Sequence, residues 1–275
     1  MGIVNTGADS FSDVGAPSTV EGQVQLGLEL VEAGAAVIDV GAESGVTYNR
    51  PSSVDDQVRR LVPVVGGLAE RGVVVSVDTY DVRVAEAALD AGAVLVNDVS
   101  GLIDPEMADL CAERGAGLVV MHTRARPKEE HFPHYDDVVA DCEEFLQERM
   151  ELAISRGVPV ERLVLDPGFD YAKTPVETVE LVQALPVLRR LGRPLLLGVS
   201  RKYFLGAITG QPPDRRDAET LAAVGWVRPH AALLRVHDVA AARRYLHVID
   251  VLAGRLAMPQ VDRDDERLKW VRAGD

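Results

Sequence analysis

Polar residues in this chain recur at one kind of place, the last positions of short apolar runs. Asn5 follows "GIV". Asp39 lies within "AVIDV", a run that continues to Glu43. Asp78 closes "VVVSVD", Asn97 and Asp98 close "AVLVND", and His122 closes "GLVVMH". Asp166 ends "RLVLD", and "PLLLGVS" passes through Ser200 into Arg201 and Lys202. The last run, "ALLRVHD", carries Arg235, His237 and Asp238. Buried polar groups without partners are costly, so a polar residue at the same end of every run is a poor way to fill a core. The pattern makes sense if these ends converge on a polar ligand.

Two kinds of chemistry are on offer. Asp78, Asn97 and Asp166 give acceptors and one amide, which suit a flat heterocycle with several N–H groups. A carboxylate against an amino-pyrimidine edge forms two parallel charge-assisted bonds, each contributing about 1.5–3 kcal/mol. Arg235 and His237 alternate with Val236 and so share one face, where two donors suit an anion such as a phosphate. Neither a GxGxxG nor a Walker loop is present, which sets aside both common nucleotide cradles. Several residues also have plainer readings. Asp78 in "VDT" has the place of a helix cap. Asp98 before "VSG" reads as a loop tie, and His122 as a hydrogen-bonded wall residue. Asp39, in mid-strand, reads as a structural hydrogen-bonding group inside the mouth. Lys173 in "DYAKT" reads as a surface residue near a helix start.

The runs that position these groups are short, β-branched and apolar throughout, as strands buried on both faces are. Between them lie longer segments of helical period, such as "VEGQVQLGLELVEAG", with Val24, Leu28 and Val31 at helix spacing. Most of these segments stop at a glycine: Gly34, Gly72, Gly92, Gly115, Gly157 and Gly192. Eight such strand–helix units predict a (β/α)8 TIM barrel over residues 1–256, with a doubly wound open sheet as the alternative. In a barrel the strand C-termini form the active face, and the first and eighth strands are neighbours, which brings Asn5 beside Arg235 and His237. Residues 257–275 read as a charged tail, docked through Trp270.

At 275 residues, 47% hydrophobic and 26% charged, the chain has ample apolar mass for one large core. A formal net charge of -14 argues against nucleic-acid or anionic-membrane partners but leaves room for a small anion held by local basic groups. The two cysteines, Cys111 and Cys142, fall in helical patterns and read as buried or half-buried free thiols. There is no signal peptide and no apolar run long enough to span a bilayer, so a cytoplasmic protein is expected. The first strand starts at Met1, which leads us to expect a few residues before it.

The segments "MGIVN…DSFSD", "IDVGAES", "VSVDT", "VNDVSG", "VMH", "LDPG…KT", "SRK" and "RVHD", in this order, resemble dihydropteroate synthases of the pterin-binding barrel family. The resemblance covers residues 1 to about 240. It implies an enzyme that joins 6-hydroxymethyl-7,8-dihydropterin pyrophosphate to p-aminobenzoate with Mg2+, releasing pyrophosphate. Carried over position by position, pterin contacts fall on Asp78, Asn97, Asp166 and Lys202, with Asp78, Asp166 and Lys202 the catalytic set. Pyrophosphate and metal contacts fall on Asn5, Arg235 and His237, with Asn5 the metal residue. Thr47 and Arg50 stand for the family's Thr-Arg pair as further substrate contacts. A homodimer is also implied.

Three segments depart from the family pattern. The first loop usually reads Asn-Val-Thr-Pro-Asp-Ser-Phe; here Gly7 and Ala8 replace Thr-Pro. The second usually reads Glu-Ser-Thr-Arg-Pro; here an insertion separates Ser44 from Arg50. After the sixth strand Gly-Phe-Gly-Lys is usual, and Asp170-Tyr171-Ala172-Lys173 stands here, adding a negative charge near the expected aminobenzoate site. These changes bear on loop closure and the second substrate, and leave the pterin and phosphate residues intact. Two alternatives go with them: a pterin-dependent methyltransferase, and a pterin-binding paralogue with reduced or no synthase activity.

Overall fold

Strands of two to five largely apolar residues alternate with helices through the described residues. The structure is a computed structural model and describes residues 1–7, 17–42, 52–129, 131–258 and 260. The strands are β1 (Gly2–Asn5), β2 (Ile38–Gly41), β3 (Val75–Asp78), β4 (Leu95–Asp98), β5 (Gly117–Met121), β6 (Leu163–Asp166), β7 (Leu196–Leu197) and β8 (Leu233–Leu234). The helices are α1 (Val20–Glu32), α2 (Val54–Ala69), α3 (Val82–Asp90), α4 (Glu106–Arg114) and α5 (Val138–Ser155). They continue as α6 (Pro175–Gln183), α7 (Leu185–Leu188), α8 (Tyr203–Thr209), α9 (Asp217–Val227) and α10 (Val239–Leu252).

All pairings are parallel, and β1 to β6 lie side by side in chain order, with no reversal of the kind a doubly wound sheet requires. Strands β7 and β8 pair with each other. Single parallel bridges, Leu165 to Leu195 and Gly2 to Val236, join this pair to β6 on one side and to β1 on the other. The circuit of strands therefore returns to its start as a (β/α)8 barrel, and the open-sheet alternative is set aside.

Helix starts are written in side chains. Thr19, Ser53, Asp81, Asp137 and Asp238 each accept from a first-turn amide, and Thr174 with Glu177 forms a capping box. The six expected helix-stop glycines all have positive φ. Most of the core lies between the strands and the helix ring, where Ile38, Val40, Leu61, Leu68, Val75 and Val77 are fully buried. A smaller cluster fills the barrel's inside: Met1, Val119 and Leu196, with Val37, Leu95, Val164 and Leu233 packed on it. This apolar floor carries the polar mouth. Cys111 and Cys142 are buried free thiols, and burial pushes both up to about 12. Among the described residues no helix is long and apolar enough to cross a membrane.

Three strands are shorter than the sequence runs suggest. β2 ends at Gly41, and Glu43 lies outside the described residues. β7 and β8 have two ladder residues each, and farther on the backbone bonds to side chains. Arg201 N donates to Thr220 Oγ1, and His237 N donates to Ser200 Oγ. The tail from 261 to 275, with Trp270, also lies outside the described residues.

Candidate active site

Strand register sets the level of each polar group. Asn5, Gly41, Asp78 and Asn97 stand in line across β1 to β4, so they share one face at one height. One step down, two residues back along each strand, Ile3, Asp39, Ser76 and Leu95 form the next row toward the floor. On the far side Asp166 pairs in register with Met121 at the top of β6. Asp166 is separated from Asn97 by β5, so the three pterin-type residues span an arc of the mouth rather than adjacent strands.

Arg235 crosses this mouth. Its Nε donates to Asp39 Oδ2 at 2.7 Å, and its Nη2 donates to Asp78 Oδ2 at 2.9 Å. Asn97 Nδ2 donates to the same Asp39 oxygen at 3.0 Å. Asp39 is wholly buried, so a cation at this spot is what permits a carboxylate there at all. Among the described residues Asp39 Oδ1, Ser76 Oγ and Asn97 Oδ1 are buried without a hydrogen-bond partner, which leaves acceptor capacity in the mouth. Burial, reinforced by Asp39 and opposed by Arg235, pushes the Asp78 carboxyl up to about 7. Burial alone would lower the Arg235 guanidinium, but the two carboxylates hold it above its ordinary value. The pterin-type and anion-type residues thus form one connected site, joined through the Arg235–Asp78 pair.

Asp166 Oδ1 accepts from Gly168 N at 2.7 Å, and burial raises its carboxyl. Gly168 has φ +65°, and a Cβ there would overlap the His122 carbonyl, so only glycine fits. Lys202 caps the start of α8 and places Nζ 4.2 Å from the Tyr171 ring centre, a cation–π contact. Burial lowers its ammonium. Ser200 Oγ lies 2.9 Å from His237 Nδ1, which ties the "SRK" segment to "RVHD".

Asn5 ends β1 at the same level. A Cβ at Gly41 would lie in ordinary contact with Asp78 Cβ at 3.5 Å, Asn5 Oδ1 at 3.6 Å and Asp78 Oδ2 at 3.8 Å, so Gly41 lies between the Asn5 and Asp78 side chains. Among the described residues no group of three His, Cys, Asp or Glu could hold a metal.

The plainer readings resolve individually. Asp98 is a loop tie, accepting from Ser100 N, Ser100 Oγ and Leu102 N. Asp81, not Asp78, caps α3, which leaves Asp78 to the mouth. His122 is a wall residue, fully buried, with Nε2 2.8 Å from Asp141 Oδ1, and burial brings it down to about 3. Lys173 corrects its surface reading. It is buried, and its Nζ donates to the carbonyls of His122, Gly168 and Tyr171 at 2.9–3.1 Å. Burial lowers it to about 8. Asp170 does not present a loose charge: its carboxylate accepts from the first amides of α8, Tyr203 N and Phe204 N. Thr47 and Arg50 lie outside the described residues, as does the first loop beyond Gly7. One residue had no sequence signal. Arg216, buried in the charged stretch "DRRD", donates to the carbonyls of Arg201 and Lys202.

Comparison with known proteins fits this geometry. The pattern of the family described as "Pterin binding enzyme" matches residues 1–237. A dihydropteroate synthase of Mycobacterium leprae is 41% identical over 96% of this chain and 95% of its own length. A Xanthomonas albilineans dihydropteroate synthase solved with 4-aminobenzoic acid has a TM-score of 0.85 at 41% identity, covering 94% of this chain and 93% of that one. The same enzyme in complex with 7,8-dihydropteroate has a TM-score of 0.82 at 40% identity, covering 94% and 93%.

Proposed function

The chain belongs to the pterin binding enzyme family, and from that premise we propose that its barrel mouth carries the dihydropteroate synthase reaction. In that reaction a 6-hydroxymethyl-7,8-dihydropterin pyrophosphate and p-aminobenzoate give 7,8-dihydropteroate and pyrophosphate. The observation that carries the reading is the row of inward polar groups over an apolar floor, in which Arg235 binds the Asp39 and Asp78 carboxylates directly.

Asp78, Asn97 and Asp166 bind the pterin edge, accepting from its ring N–H and amino groups. Asn97 Oδ1 has an acceptor to give. As the bond from methylene to pyrophosphate lengthens, positive charge develops on the pterin. Asp78 and Asp166 stabilise it from a site of low dielectric, where fixed charges act more strongly than in water. Arg235 and His237 face the departing anion. Lys202 bridges the pterin and the incoming amine, which loses one proton to water after attack. Mg2+ held with Asn5 would offset charge on the leaving pyrophosphate. A methyltransferase would have no use for the Arg235–His237 end, so the synthase reading is preferred.

Two further parts of the reading concern the protein's setting. A homodimer is supported by exposed apolar side chains on α9 and α10, Trp226, Val248 and Leu252. Cytoplasmic work is in line with two free buried thiols. The direct test is to mix purified protein, Mg2+, pterin pyrophosphate and p-aminobenzoate and to assay dihydropteroate. Pterin pyrophosphate binding with no product would instead identify a non-catalytic paralogue.

A further inference from the structure

Lys202 is held by its backbone, and the groups that hold it come from outside its own segment. It is the N-cap of α8, with φ -60° and ψ 155°, and its side chain does not cap the helix. The cap comes from the loop after β6. Asp170 accepts from Tyr203 N and, at 3.3 Å, from Phe204 N. Asp170 is itself fixed by Thr178, whose Oγ1 accepts from Asp170 N at 3.1 Å and donates to Oδ1 at 3.3 Å.

The carbonyl side is held from the other direction. Arg216 Nη1 donates to Arg201 O and Lys202 O, both at 3.0 Å, and its Nε donates to Gln211 O at 2.8 Å. The guanidinium fits only because α8 carries Gly206 at the crossing, where a Cβ would overlap it.

The backbone on both sides is strained. Asp170, Ala172 and Arg201 have φ of 65°, 52° and 56°. Residues other than glycine keep such angles only where their surroundings over-determine them. The turn they make puts Tyr171 under the Lys202 ammonium.

We propose that Asp170 and Arg216 are positioning residues for Lys202, a two-sided clamp on its backbone that fixes the ammonium over Tyr171 and toward the pterin site. The inference rests on the role given to Lys202 above. Both residues spend these hydrogen bonds on the protein itself. Each acts through the peptide groups that flank Lys202, where displacement of about 1 Å at a reacting group can cost about 10²-fold in rate.

The test uses Asp170→Ala, Asp170→Asn and Arg216→Ala in the full chain, with three measurements on each. These are steady-state kinetics, affinity for pterin pyrophosphate, and amide hydrogen exchange of the peptide spanning α8. The clamp predicts that Asp170→Ala and Arg216→Ala each lower kcat by about 10- to 100-fold. In Asp170→Ala the Tyr203 and Phe204 amides should also exchange faster. Asp170→Asn should rescue both effects to within about threefold, because an Asn side-chain oxygen accepts the same amides and Asn tolerates the left-handed turn. A merely structural role would lower thermal stability and leave kcat in place.

Unchanged kcat in both alanine variants overturns the proposal. So does a fall in KM for p-aminobenzoate on removing Asp170, since its carboxylate would then be an obstacle to the second substrate. Equal loss in Asp170→Asn and Asp170→Ala overturns it as well. If the wild type makes no dihydropteroate, the synthase reading fails by itself. The clamp is then decided by exchange and pterin pyrophosphate affinity: weaker binding with faster exchange in Asp170→Ala supports it, and unchanged values refute it.

Discussion

Replacing Arg235 with methionine should destabilise the fold far more than loss of a surface arginine, and more at pH 8 than at pH 5.5. The guanidinium binds two carboxylates at 2.7 and 2.9 Å, and one of them, Asp39, has no exposed surface. Removing one member of a buried ion pair leaves the other uncompensated, at a cost of about 3–5 kcal/mol. In a domain of this size that is a fall of roughly 6–20 °C in midpoint, at about 2–4 °C per kcal/mol. The pH dependence follows from Asp78. Its folded value of about 7 lies above the ordinary 3.8, so the folded state binds more protons than the unfolded state between these limits. Stability from this group is therefore present below the lower limit and is lost as pH rises through the upper one. Arg235 opposes that upward shift, so its removal extends the loss to higher pH.

Guanidinium chloride unfolding at both pH values measures the effect. Asp39→Asn in the Arg235→Met background removes the stranded charge while keeping an acceptor for Asn97. It should recover at least about 1.5 kcal/mol, the lower end for hydrogen-bonded charged groups. An Arg235→Met variant within about 1 kcal/mol of wild type at pH 8, the range of an exposed pair, would refute the reasoning. So would equal destabilisation at the two pH values.

Other perturbations probe single residues. Asp166→Ala and Lys202→Ala should each cut turnover by at least ~10²-fold, the usual loss for a transition-state charge, and near-normal rates in both would refute their roles. Binding of a pterin without its pyrophosphate should strengthen as pH rises through about 7, because ionised Asp78 accepts a hydrogen bond, and titration calorimetry should find that limb missing in Asp78→Asn. Lys173→Met removes three hydrogen bonds to buried carbonyls and should cost about 3–4.5 kcal/mol at roughly 1–1.5 each, read by thermal unfolding. Ala172→Gly relieves a left-handed alanine at φ 52° and should stabilise the protein by about 1 kcal/mol, with lower stability as the contrary result.

What the sequence made legible was whatever local chemistry decides. A strand buried on both faces must be apolar along its length, so its polar terminus stands out, and Asn5, Asp78, Asn97 and Asp166 could be placed at the mouth by reading strand ends. Asp39 could be given a structural role because a carboxylate in mid-strand must find a donor. Its main partner could not be read, since Arg235 lies 196 residues away and only barrel closure brings it near. Lys173 misled because "KT" before a helix looks like an exposed start. What turns it inward is the pair of left-handed residues before it, and neither an Asp nor an Ala announces that conformation. Arg216 gave no sign among its charged neighbours, because its partners are carbonyl groups, which every residue has.

The departure after the sixth strand shows how a change of residue can keep a backbone. Where the family pattern has Gly-Phe-Gly before the lysine, this chain has Asp170, Tyr171 and Ala172, and the two residues at the glycine places both have positive φ. Left-handed backbone of this kind suits glycine, and residues with a Cβ disfavour it by about 1–2 kcal/mol each. At Ala172 the backbone carbonyl accepts from the Tyr135 hydroxyl at 3.0 Å. At Asp170 the side chain gains helix amides and a threonine hydroxyl, so the carboxylate fixes the segment that carries Lys202. A charge that looks in sequence like an obstacle to an anionic second substrate is thus largely satisfied by the backbone of α8. Whether Asp170 helps or hinders turnover is decided by how firmly it holds those amides, and Asp170→Asn, which keeps the acceptor and removes the charge, separates the two.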